Sequence, residues 1–296
     1  KAISALGSAF SQVPDKQQAW NNLLRLTNDE YRSVRYEVTS TLGSVFSDVP
    51  DKQQAWNDLI KLTNDKDSDV RSKAASTLGS VFSDVPDKQQ AWNDLRKLTN
   101  DEDRRVRTKA ASVLGLIFSG VPDKQKAWND LHKLTSDKDN DVRYEVASTL
   151  GSVFSDVSDK QQAWNDLIKL TNDENWDVRA SANHSLGKIS IFKASKAERE
   201  EDYKRELETT ITFFEKAAQE SSYWSNPSQF CLPFYRSFYT IIFQKQEEAK
   251  EEMDKYLAEA KDAVRGSKSK ELLFEAVENL ANALKEVQNL ENLDLE

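Results

Sequence analysis

The chain has one cysteine in 296 residues, Cys231, so it can build neither an internal disulfide framework nor a cysteine-rich zinc site, and a reducing cytoplasm suits it best. Histidine is almost as scarce. His132 and His184 stand far apart, neither in a His-Glu-x-x-His nor a Glu-x-x-His spacing, so no metal or acid–base role is expected of them. Glycine-rich phosphate loops, nucleophile elbows and paired catalytic carboxylates are missing, and the many serines have no partner base, so the sequence points away from an enzyme and implies no cofactor. No run of roughly 18 apolar residues occurs to span a bilayer, and the N-terminus shows no basic segment followed by an apolar stretch and a cleavage site.

A basic surface is also lacking. The net charge is −9, and it is unevenly placed: residues 1–193 carry 27 Lys+Arg against 28 Asp+Glu, residues 194–296 carry 14 against 22. A near-neutral first part and an acidic tail make nucleic acid an unlikely partner.

What is present is a repeat. Tryptophan recurs at Trp20, Trp56, Trp92, Trp128 and Trp164, arginine at Arg35, Arg71, Arg107, Arg143 and Arg179, and glycine from Gly7 to Gly187, always in steps of 36. The string from Asp48 to Leu59 is identical to that from Asp84 to Leu95, a mark of duplication. Within one unit Asp51 caps a first helix, with Gln54 placed to reach back in a variant capping box. Ala55, Trp56, Leu59, Ile60 and Leu62 share one face, the polar run 63–69 is a turn, and Val70, Ala74, Leu78, Val81 and Phe82 form the stripe of a second helix. Helices of about a dozen residues are marginal alone, so each must bury its stripe against the next unit, as a solenoid does. The tryptophans, in phase with that stripe, are core residues.

The second helix carries Asp69-Val70-Arg71 at its start and Leu78-Gly79 in its last turns. Ser33-Val34-Arg35, Arg105-Val106-Arg107, Asp141-Val142-Arg143 and Asp177-Val178-Arg179 repeat the pattern, the first and second of these without the acidic residue. This resembles the HEAT-like repeats also found in bilin lyase relatives, over residues 1–193. The resemblance implies an all-α right-handed solenoid, second helices lining a concave face, and Arg71 and its equivalents tying adjacent units together. Tetratricopeptide repeats fit less well, because Ile60 stands where they need glycine and no proline closes the unit. Lys1–Gly7 aligns with Lys73–Gly79, so the chain is expected to begin inside a repeat, and the drifting fifth unit, with Ser158, Trp176, His184 and Lys188, reads as a cap.

Residues 194–296 are expected to form a second, helical domain. Helices are placed at 196–220, through the aromatic stretch 230–243, and at 246–264 and 270–290, making a small bundle whose aromatic segment is either its centre or a docking surface.

Two features imitate sites. Asp65-x-Asp67-x-Asp69 and Asp137-x-Asp139-x-Asp141 open like calcium loops, but Val70 or Val142 and Ser76 or Ser148 replace the glycine and glutamate such a loop requires, so these aspartates are helix caps. His132 shares its column with Leu24, Ile60, Arg96 and Ile168, a loosely constrained surface position. Residues that differ between otherwise identical units are better candidates for contact. On the second helices these are Tyr36, Glu37, Ser72, Lys73, Thr108, Lys109, Tyr144 and Glu145, flanked by Ser40, Ser76, Ser112 and Ser148. They make a patterned strip for a protein partner. A scaffold is the leading reading; a regulatory region of a longer signalling protein and a non-catalytic module of an enzyme assembly stay open beside it.

Overall fold

The computed structural model describes residues 2–220 and 227–243, together with residues 255, 256, 258, 259, 261 and 262. Among these, all regular structure is helical. The second helices of the repeats are α1 (Ala2–Ala9), α3 (Arg32–Ser44), α5 (Ser68–Ser80), α7 (Arg104–Ile117), α9 (Asn140–Val153) and α11 (Trp176–Ala194). The first helices alternate with them: α2 (Lys16–Arg25), α4 (Lys52–Lys61), α6 (Lys88–Lys97), α8 (Lys124–Leu134) and α10 (Lys160–Leu170). The tail adds α12 (Glu200–Glu220) and α13 (Ser228–Phe243). Helices expected at 246–264 and 270–290 lie almost wholly outside the described residues. The fold is an all-α solenoid. By its contacts the chain divides into two compact units, Lys1–Asp166 and Leu167–Glu296, so the division falls within α10, while residue 193 lies inside α11.

In the first unit each first helix is capped by an aspartate: Asp51 Oδ1 accepts the Gln54 N–H at 2.9 Å, and Asp15, Asp87 and Asp123 act alike. The Gln54 side chain does not reach back as a capping box requires. It donates to Asp58 at 3.1 Å, because that buried carboxylate, already the acceptor for the Trp20 indole at 3.2 Å, needs further donors. Lysine closes the other junction: Lys88 Nζ donates to the carbonyls of Phe82 (2.8 Å), Ser83 (2.7 Å) and Val85 (2.5 Å), satisfying acceptors left open where α5 ends.

Four of the five repeat tryptophans are core, as their phase predicts: Trp20, Trp56, Trp92 and Trp128 are all but inaccessible, whereas Trp164 is only half-buried. Burial leaves each indole N–H in need of an acceptor. Trp56 finds Asp94 at 3.3 Å and Trp92 finds Asp130 at 3.2 Å, both one unit ahead. Trp128 breaks the series. Its counterpart Asp166 accepts from Gln162 Nε2 at 2.7 Å through one oxygen and lies 2.7 Å from His132 Nδ1 through the other, and the buried Trp128 N–H has no partner among the described residues.

Glycine near the end of each second helix permits close stacking. A β-carbon on Gly43 would lie 2.5 Å from Thr77 Cγ2, and one on Gly79 2.7 Å from Val113 Cγ1.

In the second unit α12 packs along α11. A β-carbon on Gly187 would lie 2.5 Å from the Phe214 ring of α12, and Arg179 is bound by Glu220 at 2.9 and 2.5 Å. Thus α12 supplies to α11 the two contacts that the turn aspartate and the second helix of a following unit supply elsewhere, which is how a terminal unit is capped. Lys196 and Ala197 belong to the turn after α11, their N–H groups bonded back to Lys193 and Ala194, so the tail helix starts at Glu200. The aromatic helix α13 lies against α12: Tyr235 stacks on Phe214 at 5.6 Å, Tyr239 donates to Glu208 at 2.6 Å and Arg236 meets Glu215 at 2.6 Å. Burial pushes Tyr235 up to about 12. Among the described residues no helix is long and apolar enough to cross a membrane.

Candidate partner-binding groove

The groove begins with the clamp that fixes its helices. Arg71, on the first turn of α5, donates through Nε and Nη2 to both oxygens of Asp101 in the next unit, each at 2.8 Å, and through Nη1 to the Asp65 carbonyl at 2.9 Å. Arg35 grips Asp65 at 2.7 and 3.0 Å, and Arg107 grips Asp137 at 2.8 and 2.9 Å. Burial would raise the Asp65 and Asp137 carboxyls, but the arginine hydrogen bonds, a backbone N–H and the arginine charge outweigh it and hold both below the usual carboxylate value. The arginines therefore tie adjacent units as the resemblance implied. The aspartates that imitate calcium loops are consumed in the process. Asp65 serves Arg35 and accepts the Asp67 N–H at 2.8 Å, while Asp67 caps α5 through the Asp69 N–H at 3.0 Å.

With α3, α5 and α7 locked in register, their outward residues enclose a groove of about 700 Å³. Of the eight strip residues expected from the sequence, Tyr36, Glu37, Ser72, Lys73 and Lys109 line it. Thr108 does not, and its buried hydroxyl has no hydrogen-bond partner among the described residues. Tyr144 and Glu145 sit one helix further on, at α9, outside the lining, with Tyr144 well exposed. The lining also contains Arg32, Asp69 and Arg105, which column comparison passed over. Asp69 is shared: Arg32 of the preceding unit reaches it at 2.8 Å and Arg105 of the following unit at 2.6 Å. Arg105 also donates to Ser68 at 2.6 Å, and Arg104 pairs with Asp141. These pairs join residues 36 or 37 apart, and only stacking of the units brings them together.

Lys73 Nζ stands 5.4 Å from the Tyr36 ring centroid, a cation–π arrangement that keeps the ring in the groove wall. Neither Lys73 nor Lys109 forms an ion pair among the described residues. Further along α7, in helical phase with Lys109, Leu116 is 73% exposed. Its column otherwise holds Ser8, Ser44, Ser80, Ser152 and Lys188, so the outlier was visible in the sequence but was not singled out.

His184, in the second unit, is not part of any such surface. Burial and the nearby Lys188 charge push it down to about 4, its Nδ1 lies 2.8 Å from Ser228 Oγ, and its ring stacks near Phe214 at 5.3 Å. The pair serves to join α11 to α13.

The family model for sister chromatid cohesion protein PDS5 matches residues 20–290 of the chain. No curated protein matches it. Among solved structures, the Pds5–Scc1 complex is similar over 96% of this chain and 46% of that one, at 14% identity and a TM-score of 0.52. The full-length AP-3 complex, a homology model in an intermediate open conformation, is similar over 92% and 53%, at 14% identity and a TM-score of 0.60. The CpcE–CpcF complex of phycocyanin lyase from Nostoc sp. PCC7120 is similar over 80% and 94%, at 15% identity and a TM-score of 0.42. The chain spans about half the length of the first two, and at these identities the likeness is one of fold. With HEAT-like repeats and tail both inside the matched span, the chain belongs to the PDS5 family of sister chromatid cohesion proteins.

Proposed function

We propose that the protein is a scaffold that binds a protein partner along the second-helix strip, and acts by binding and not by catalysis. The observation that carries this reading is where the units differ. Packing positions, clamps and caps are nearly invariant from unit to unit, whereas the second-helix pairs Tyr36-Glu37, Ser72-Lys73, Thr108-Lys109 and Tyr144-Glu145 change, and apart from the Lys73–Tyr36 contact repeat stacking gives no reason for the change. A Pds5 is bound to Scc1 in one similar structure, and a protein ligand is the corresponding expectation here. The acidic tail, residues 194–296, is a separate helical domain in this reading and contributes a cap to the array.

The test is crosslinking capture from native extract with the full chain, compared with the variant Glu37→Lys, Lys73→Glu, Lys109→Glu, Glu145→Lys. This variant keeps the net charge, so a loss cannot come from overall electrostatics. Proteins held by the wild type and lost by a variant of unchanged helicity support the strip; an identical set of captured proteins refutes it.

A further inference from the structure

We infer that the occupant of the groove across α3, α5 and α7 is an acidic, amphipathic helical segment of a partner protein, with carboxylates seven residues apart and an apolar side chain on its flank. The inference rests on the strip being the binding face and specifies what it binds.

Charge comes first. The groove lining holds four basic residues, Arg32, Lys73, Arg105 and Lys109, against two acidic ones, Glu37 and Asp69. Asp69 is already matched by Arg32 and Arg105 on either side. Lys73 and Lys109 are left at the centre with no ion pair among the described residues, while Glu37 and Glu145 mark the outer columns of the strip. A complementary ligand therefore carries acids opposite Lys73 and Lys109.

Spacing comes second. Packed helices lie about 8–10 Å apart, so the Lys73 and Lys109 positions, equivalent in neighbouring units, recur about every 10 Å across the groove. At a rise of about 1.5 Å per residue, a helix laid across the groove repeats its own face every seven residues, or about 10.5 Å. Leu116 supplies the third constraint. It lies seven residues along α7 from Lys109, again about 10 Å, which matches the width of a helix and so places an apolar contact on the ligand's flank. Alone among the six residues of its column it is apolar, and its 73% exposure shows that the array's own packing does not use it.

The experiment is panning of a displayed library of 18-residue helical peptides, randomised at solvent positions, on the full chain, with the Lys73→Glu/Lys109→Glu full chain as counter-selection. The expected winners carry Glu or Asp at i and i+7 with an apolar flank. A synthetic winner should lose roughly tenfold or more in affinity on the double variant, about 1.4 kcal/mol per decade. Leu116→Ser should weaken it roughly three- to tenfold, yet leave unchanged a peptide whose flanking residue is alanine. Strip-dependent winners that are basic or uncharged overturn the acidic occupant while leaving the strip as the binding face. Winners that bind the double variant equally well, or no winners at all, overturn both. Displacement of a bound acidic peptide by a short DNA or RNA duplex at stoichiometric concentration would assign the basic groove to nucleic acid instead.

Discussion

Replacing Arg107 with methionine tests the claim that the arginine clamp holds the groove helices in register. Arg107 and Asp137 are about 5% and 10% exposed, and the guanidinium also donates to the carbonyls of Asp101 and Glu102 at 2.9 and 3.0 Å. Methionine fills much of the volume but strands a buried carboxylate and two carbonyls. Breaking a buried pair from one side typically costs about 3–5 kcal/mol, and the lower end, about 3, suits a clamp lying at the rim of the stack. Asp137→Asn in the same chain removes the stranded charge yet keeps the side-chain oxygen that accepts the Asp139 N–H at 2.9 Å, so the double variant should recover more than half of the loss.

The pH dependence has a definite sign. Asp137 is held below its unfolded value of about 3.9, so its contribution is complete above about pH 5 and fades as pH falls through the folded value. In the methionine variant the unpaired carboxylate is protonated more readily, so the gap between variant and wild type should narrow from pH 7 to pH 3.5. Other clamps weaken in acid too, but they do so in both proteins and cancel in the difference. Because an array unfolds locally, native-state hydrogen exchange over residues 134–143, beside urea midpoints, is the measurement. A gap below about 1 kcal/mol at pH 7, an equal gap at both pH values, or no recovery in the double variant would refute the reasoning.

Gly43→Ala should destabilise the array by about 1–2 kcal/mol in urea unfolding despite alanine's better helix propensity, because the new methyl meets Thr77 Cγ2 at 2.5 Å, and Thr77→Ser should restore most of the loss. His132→Ile, the residue in the equivalent columns of Ile60 and Ile168, frees an Asp166 oxygen for the Trp128 indole; the Trp128 N–H signal in nitrogen–proton correlation spectra should move toward those of Trp56 and Trp92, and an unmoved signal would exclude the competition. His184 is held neutral, so between pH 6.5 and about 4 the unfolded chain takes up a proton that the folded second unit refuses; stability should fall by up to about 3 kcal/mol on acidification, and His184→Gln should flatten that part of the melting profile.

Much of this was legible because a repeat is its own control. The 36-residue period fixed the helix pairs, the phase of the tryptophans placed Trp20, Trp56, Trp92 and Trp128 in the core, and Asp51 announced a cap that forms. The Gln54 side chain was misplaced because the buried Asp58 competes for it, a demand created by Trp20 of the preceding unit and absent from any local pattern. Likewise the sharing of Asp69 between Arg32 and Arg105 depends on stacking across 36 or 37 residues, and nothing within one unit predicts it.

Leu116 and Trp128 show two kinds of departure that a repeat can carry. At Trp128 the deviation is inward: His132 takes an acceptor that the core wants, leaving a buried donor unsatisfied, and the consequence is a local loss of stability. At Leu116 the deviation is outward: a serine column turns apolar at a site 73% open to solvent, and the array gains nothing from it. Stability selects against the first and is indifferent to the second. The outward departures are therefore where a contact with something else should be sought, and Tyr36, Lys73, Lys109 and Leu116 all lie on that outward side, on second helices whose inward residues are nearly the same in every unit.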